Sequence, residues 1–270
     1  MTSRNYTLDG LRGCLAVLVL ADHACLSQGN EALVTPARFA VWIFFILSAC
    51  VLTRAWDGRY GTFLARRFMR LWPVYALCMV AAYALSGIPL DIWQLFWIPL
   101  HSYPPAANTP AWSLTIEAAA MFLMPLFVLV GRASFARRVI ALLATLLVQF
   151  LTPYAFFAAF FFIGAWVSRF DLRWAPLGGA VPRWLGRISY PLYLCHVPII
   201  SFTGLPLTLS IPLAFAAATV LAETVEVWSI AASRLRFAPA ARLSVLVRTQ
   251  IDLAPRAFPR LAGEVEQADH

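Results

Sequence analysis

Two side chains that could do chemistry lie in the apolar stretch "RGCLAVLVLADHAC" at residues 12–25. Arg12 and His23 are eleven residues apart, which is about 1100° of helical rotation and therefore roughly 20° beyond three full turns. They share one helix face and lie ~16 Å apart along the axis. Arginine binds anions and histidine is suited to general-base catalysis, since its ordinary pKa is near 6.5. Asp9 lies one turn before Arg12 and could pair with it, whereas Asp22 points sideways from His23.

Glu117 is a second candidate, about six residues into another apolar segment. If this helix runs antiparallel to the first, Glu117 lies at the depth of His23, and the pair could form a base and its orienting group. Two alternatives stay open, in which Glu117 pairs with an arginine and His23 donates a hydrogen bond to a backbone carbonyl. Charged residues inside a bilayer cost on the order of 2.5–3.5 kcal/mol each, so these residues are functional candidates.

A basic cluster precedes the third apolar segment. Arg66, Arg67 and Arg70 fall within about 100° of one another on a helix, and such a cluster can bind nucleotide phosphates through bidentate contacts. Binding of lipid headgroups, which would orient the protein in the membrane, is the alternative.

The composition indicates a membrane protein. Of the 270 residues, 61% are hydrophobic and 13% are charged, against roughly 45–50% apolar residues in a soluble domain. The net charge of +8 does not indicate nucleic-acid binding, because the basic residues form tight groups between apolar segments. No Cys or His spacing is typical of a metal site.

The apolar segments predict an all-α bundle of about eight membrane spans. We place them near 8–27, 37–53, 72–88, 111–131, 138–152, 154–169, 188–204 and 207–230. Twenty of the 21 basic residues fall at the chain ends or in alternate connections, and Arg38 alone falls in the others. This pattern predicts cytoplasmic termini. Residues 1–230 are expected to be membrane-embedded and 231–270 to form a basic, loosely ordered cytoplasmic tail. Residues 91–100 could enter the membrane.

Five blocks resemble the integral-membrane acyltransferase 3 family, in order and wording. They are "LDGLRGCLAVLVLADHA" (8–24), "FFILSA" (44–49), "FLARRFMRLWPVY" (63–75), "WSLTIEAAAMFLMP" (112–125) and "GRISYPLYLCHVPI" (186–199). The family's Arg-to-His signature matches Arg12 and His23, and its arginine motif matches Arg66, Arg67 and Arg70. Its tryptophan-led acidic motif matches Trp112, Ser113 and Glu117. The last block supplies Ser189 and Tyr190, followed by His196.

The resemblance implies transfer of an acyl group, often acetyl, from cytoplasmic acyl-CoA to a hydroxyl of a carbohydrate or glycolipid. Acyl-CoA would be a co-substrate, and no permanently bound cofactor is expected. His23 and Glu117 would be catalytic, and Arg12 with the arginine cluster would bind the donor. The expected location is the bacterial cytoplasmic membrane. Trp42 stands where the family commonly has an acidic residue, and Ala118–Ala120 replace polar and aromatic residues. A non-catalytic transporter or flippase is the alternative.

Overall fold

The computed structural model describes residues 5–96, 106–148, 150, 154–171 and 174–237. Over these ranges the regular structure is helical and includes ten α-helices. They are α1 Tyr6–Leu26, α2 Val34–Ala55, α3 Tyr60–Ser86, α4 Trp112–Phe122, α5 Met124–Arg132, α6 Phe135–Val148, α7 Tyr154–Val167, α8 Ala180–Phe202, α9 Leu207–Leu221 and α10 Val227–Arg236. A π-helical turn, Ala222–Glu226, joins α9 to α10. The prediction of an all-α architecture is confirmed.

Each predicted apolar segment contains helix, but the segments differ in their suitability as spans. Val34–Ala55, Tyr60–Ser86 and Leu207–Arg234 are long and apolar enough to cross a membrane. The predicted span 111–131 is instead broken into α4 and α5, which meet at 68°. The break precedes Pro125, which has no N–H to continue the helical hydrogen bonds and is tolerated in the first turn of a new helix. The prediction of eight spans stays a prediction.

Two other predictions fall partly outside the described residues. Ile92–Phe96 forms a short 3₁₀ helix that contacts α3, where Trp72 Nε1 donates a hydrogen bond to the Leu95 carbonyl at 2.8 Å. The rest of the segment 91–100, from residue 97 onward, lies outside the described ranges. The same is true of residues 238–270, which make up most of the predicted tail.

Helix α8 forms the centre of the bundle. Its residues from Ile188 to Ile200 are all buried, although Pro191 and Pro198 lie inside it. A proline cannot donate to the carbonyl four residues earlier, so Pro198 leaves the Leu194 carbonyl without its helical partner. Asn108 Nδ2 donates a hydrogen bond to this oxygen at 2.9 Å. The buried carbonyl is thereby satisfied from outside the helix.

Glycines allow α1 and α8 to pack with their backbones in close contact. A Cβ on Gly13 would lie 2.5 Å from the Gly186 backbone nitrogen, and one on Gly186 would lie 2.1 Å from the Asp9 carbonyl oxygen. Such small-residue contacts are typical of helix pairs in membranes. At the far ends of both helices, His23 contacts His196. Because Asp9 is beside Gly186 and His23 is beside His196, the two helices run parallel.

The close contact between α1 and α8 predicts that Gly13→Ala destabilises the protein by about 1–3 kcal/mol, the usual cost of overpacking. Gly61→Ala is the matched control, because no atom lies within 4 Å of a Cβ at this helical position. We expect the control to be neutral or slightly stabilising, since alanine favours helix more than glycine does. Thermal unfolding of both variants in detergent measures the difference. Equal unfolding temperatures would contradict the proposed role of this contact.

Candidate active site

One cavity lies among α1, α2, α3, α4 and α8 and is lined by three arginines and two glutamates. We call it the arginine cavity. Arg12 of α1 and Arg67 and Arg70 of α3 line it, together with the carboxylates of Glu117 and Glu226. The other side chains that line it are Phe44, Phe45, Leu47, Ser48, Val51, Leu71, Ser113, Leu114, Ser189, Tyr190 and Tyr193. Three guanidinium groups in a partly enclosed space form a site suited to a ligand with several phosphate groups.

The predicted arginine cluster divides between two environments. Arg67 and Arg70 line the cavity, and a 3.5 Å ion pair joins Arg70 Nη2 to Glu226 Oε1. Arg66 is not among the lining residues. Its Nη1 lies 3.5 Å from Asp57 Oδ2 and its Nη2 donates to the Phe237 carbonyl at 2.9 Å. Residues 66 and 67 point about 100° apart on a helix, which accounts for the difference.

Glu117 lines the arginine cavity, although no ion pair to an arginine is recorded for it among the described residues. Its Oε1 accepts a hydrogen bond from Ser48 Oγ of α2 at 2.5 Å. It lines the same cavity as Arg67 and interacts with that guanidinium electrostatically. His23 lines a different cavity. The structure therefore does not bring Glu117 and His23 together as the matched depths predicted.

The second cavity lies at the other end of α1. We call it the histidine cavity. Asp22 and His23 of α1 line it with Arg38 and Trp42 of α2 and with Trp112 of α4. The remaining lining residues are Val19, Val34, Ala37, Val41, Thr109, Pro110 and Tyr193. Helix α2 thus runs from the histidine cavity towards the arginine cavity, antiparallel to α1.

Hydrogen bonds to backbone carbonyls indicate the tautomers of two histidines. His23 Nδ1 lies 2.9 Å from the Val19 carbonyl, and His196 Nδ1 lies 2.9 Å from the Leu192 carbonyl. A carbonyl oxygen only accepts, so each Nδ1 carries the hydrogen. His196 Nε2, 3.4 Å from His23 Nδ1, is then an acceptor for the same N–H. His23 Nε2 remains unprotonated and able to accept a proton.

Tyr193 lies between the two cavities and lines both. Its ring is buried, and its hydroxyl and Ser113 Oγ are hydrogen-bonded at 2.9 Å. Two consecutive residues of α4 also lie at this boundary: Trp112 lines the histidine cavity, and Ser113 lines the arginine cavity. Any group that passes from one cavity to the other along this path must pass the Tyr193 side chain.

Two further predicted residues, Ser189 and Tyr190, donate hydrogen bonds to backbone carbonyls. Ser189 Oγ donates to the Gly186 carbonyl at 2.9 Å, and Tyr190 Oη donates to the Leu71 carbonyl at 2.8 Å. Both also line the arginine cavity. Asp9 is in the first turn of α1, where its backbone contacts Gly186. Asp22 is 5% exposed and lines the histidine cavity.

Sequence reasoning missed Tyr193, Ser48 and the pairing of Arg70 with Glu226. A signal for Tyr193 was present, since Ser189, Tyr193 and His196 follow one another at four and three residues and thus form a polar stripe on an apolar helix. Nothing in the local sequence indicated Ser48 or the contact of His196 with His23, which lies 173 residues away. Within the described ranges, no three His, Cys, Asp or Glu side chains are close enough to hold a metal ion.

Comparison with known proteins identifies the family of this chain. The model of the acyltransferase domain (Acyl_transf_3) matches residues 5–180, which include Arg12, His23, Arg67, Arg70 and Glu117. The chain belongs to this acyltransferase family. The match ends at residue 180, so Tyr193, His196 and Glu226 lie beyond it.

Two curated relatives cover shorter regions. Acyltransferase MdmB of Streptomyces mycarofaciens is 30% identical over 45% of this chain and 38% of its own length. Protein 2 in picA locus of Rhizobium radiobacter is 36% identical over 32% of this chain and 50% of its own length. The chain thus spans half or less of the curated relatives it matches. No solved structure matches it.

Proposed function

We propose that this protein is a membrane O-acyltransferase that moves an acyl group, acetyl in the simplest case, from cytoplasmic acyl-CoA to a hydroxyl of a carbohydrate or glycolipid acceptor. Family membership supports acyl transfer. The main support for an acyl-CoA donor and a histidine base is the position of the candidate residues. Three arginines line one cavity, and His23, on the same helix as Arg12, lines the next.

The arginine cavity is the proposed site for the phosphates of the donor. Arg12, Arg67 and Arg70 supply the charge, and Glu226 holds Arg70 at 3.5 Å. Bidentate contacts from arginine to phosphate oxygens are strong in a partly buried site, because little water competes for them. Glu117 and Glu226 limit the net positive charge of the cavity.

The acyl group must then reach His23. Arg12 and His23 are ~16 Å apart along α1, and the extended pantetheine arm of coenzyme A can bridge such a distance. On this path the thioester passes Tyr193, which lines both cavities. Rotation of the Tyr193 side chain away from Ser113 would open the path.

His23 is the proposed general base. The Val19 carbonyl accepts the hydrogen bond of His23 Nδ1–H, which leaves Nε2 unprotonated. Nε2 therefore accepts the proton of the acceptor hydroxyl. The hydroxyl oxygen attacks the thioester carbonyl carbon and forms a tetrahedral intermediate. The carbon–sulfur bond then breaks, and the imidazolium returns the proton to the departing thiolate. His196, whose Nε2 faces His23 Nδ1 at 3.4 Å, stabilises the imidazolium by accepting this hydrogen bond.

The helix directions support the proposed topology. Helices α1 and α8 run parallel, and Arg12, Arg67 and Arg70 are at one end of the bundle. With this end at the cytoplasm, the arrangement fits the positive-inside rule and the eight-span prediction. The donor would then enter from the cytoplasm and the acceptor from the opposite side. The bacterial cytoplasmic membrane is the proposed location.

His23→Ala is expected to lower acyl transfer at least about a hundredfold, the usual contribution of a general base. The assay incubates membranes that contain the protein with radiolabelled acetyl-CoA and measures label in extracted glycans and glycolipids. Cys25→Ala is the control, since Cys25 is in the last turn of α1 and lines neither cavity. Undiminished labelling by His23→Ala would contradict the role of His23. Movement of a glycan without thioester consumption would instead favour a flippase.

The donor site makes a separate prediction. Arg67→Gln should raise the KM for acetyl-CoA by about tenfold or more, as expected for a lost charge-assisted hydrogen bond. Arg66→Gln should have a smaller effect, because Arg66 faces Asp57 and Phe237 outside the cavity. Arg137→Gln, at an exposed position of α6, is the control. An effect of Arg66→Gln equal to that of Arg67→Gln would contradict this division of the cluster.

A further inference from the structure

Asp22 is a buried carboxylate that the proposed mechanism does not use. It is 5% exposed, and its Oδ1 has no hydrogen-bond partner among the described residues. Such an acceptor is costly to bury, since the lost hydration is not replaced. Asp22 also lines the histidine cavity next to His23. Other buried polar atoms of the described residues also lack a partner, but only Asp22 combines this with a place in the lining of the histidine cavity. A ligand that donates a hydrogen bond into this cavity would satisfy the carboxylate.

Asp22 is not placed to orient the neighbouring base. The Nδ1–H of His23 is directed to the Val19 carbonyl and to His196. Arg38 lines the same cavity, yet the structure records no ion pair between it and Asp22 within the described ranges. Asp22 and His23 therefore offer two separate hydrogen-bond acceptors to a ligand in the cavity.

Two tryptophans, each packed against other aromatic rings, line the cavity. Trp42 stacks on Phe160 with ring centroids 5.5 Å apart and meets Phe39 edge to face at 4.8 Å. Trp112 packs against Phe45 and Phe157. The cavity volume is about 180 Å³. A small ring with an apolar face and hydroxyl groups at its edge fits these walls.

The proposed function places the acceptor in the histidine cavity, and we propose that Asp22 there selects acceptors that carry a second hydroxyl next to the one that is acylated. The acylated hydroxyl donates to His23 Nε2, and its neighbour donates to an Asp22 oxygen. Trp42 and Trp112 pack against the ring. The substrate class is therefore a ring with a vicinal diol, as in a sugar, and a simple alcohol is a poor acceptor. This inference rests on the proposed acyltransferase function.

A pair of small probes isolates the second hydroxyl. The full chain in membranes is given acetyl-CoA with either trans-1,2-cyclohexanediol or cyclohexanol, and kcat/KM is measured for each ester product. The wild type should prefer the diol by about tenfold or more, the effect of one hydrogen bond to a charged group. Asp22→Leu should bring the ratio close to one, whereas Asp22→Asn, which keeps one acceptor oxygen, should retain part of the preference.

Glu31→Gln is the matched control, because it removes an exposed carboxylate from the connection between α1 and α2. It should keep the wild-type ratio. A ratio of two rates within one variant does not depend on the amount of folded protein. If Asp22→Leu does not fold, the isosteric Asp22→Asn decides, and an unchanged ratio in that variant overturns the assignment.

The outcomes also separate this inference from the function on which it rests. Equal use of both probes by the wild type would overturn the role of Asp22 and leave acyl transfer intact. If neither probe is acylated while His23-dependent labelling of membrane glycans persists, the assignment of a small-ring diol as the acceptor is wrong, and the proposed acyltransferase function stands. If that labelling is absent as well, the proposed function itself fails.

Discussion

The close contact of α1 and α8 is the constraint on which the rest of the site depends. Gly13 and Gly186 bring the two backbones together, and a side chain at either position would collide with the opposing main chain. Because the helices run parallel from this contact, His23 and His196 meet at their far ends. Arg12 remains near the contact, where α3 supplies two further arginines. One helix pair thus sets both the proposed donor end and the proposed base.

Buried polar groups in this bundle are mostly held by specific partners. The two histidine Nδ1–H groups donate to carbonyls in their own helices, Ser48 donates to Glu117, and Asn108 satisfies the carbonyl freed by Pro198. In apolar surroundings, burial of each unpaired polar group would lower the stability of the fold by on the order of several kcal/mol. Some buried polar atoms among the described residues lack such a partner, including Asn108 Oδ1, Glu226 Oε2 and Asp22 Oδ1. Of the residues with such an atom, only Asp22 lines the histidine cavity, where a substrate would supply the missing hydrogen bond.

Periodicity predicted the helices and the shared face of Arg12 and His23, because both follow from 3.6 residues per turn. It also placed Arg66, Arg67 and Arg70 on adjacent faces, but which of them enters the cavity depends on the packing of α3 against α8 and α10. The matched depths of Glu117 and His23 were a reasonable basis for pairing them. Depth does not determine the rotation of a helix about its axis, and Glu117 faces Ser48 and the arginines instead.

Tertiary contacts account for the other differences. The meeting of His23 with His196 joins residues 173 positions apart, and no local pattern encodes it. Pro125 was visible in the sequence, yet a proline near the start of a helix is compatible with either a straight span or a new helix. The 68° bend between α4 and α5 depends on their packing against α2 and α7. The helix types were therefore predictable, whereas the partners of the polar side chains were not.

The central claim is that a donor bound by the arginines reaches His23 from the neighbouring cavity. A structure of the full chain with a non-hydrolysable thioether analogue of acetyl-CoA tests it directly. The account predicts phosphates against Arg12, Arg67 and Arg70, a displaced Tyr193 side chain, and the acyl carbonyl carbon beside His23 Nε2. An analogue whose phosphates bind elsewhere, or whose acyl end stops short of Tyr193 in the arginine cavity, would contradict it.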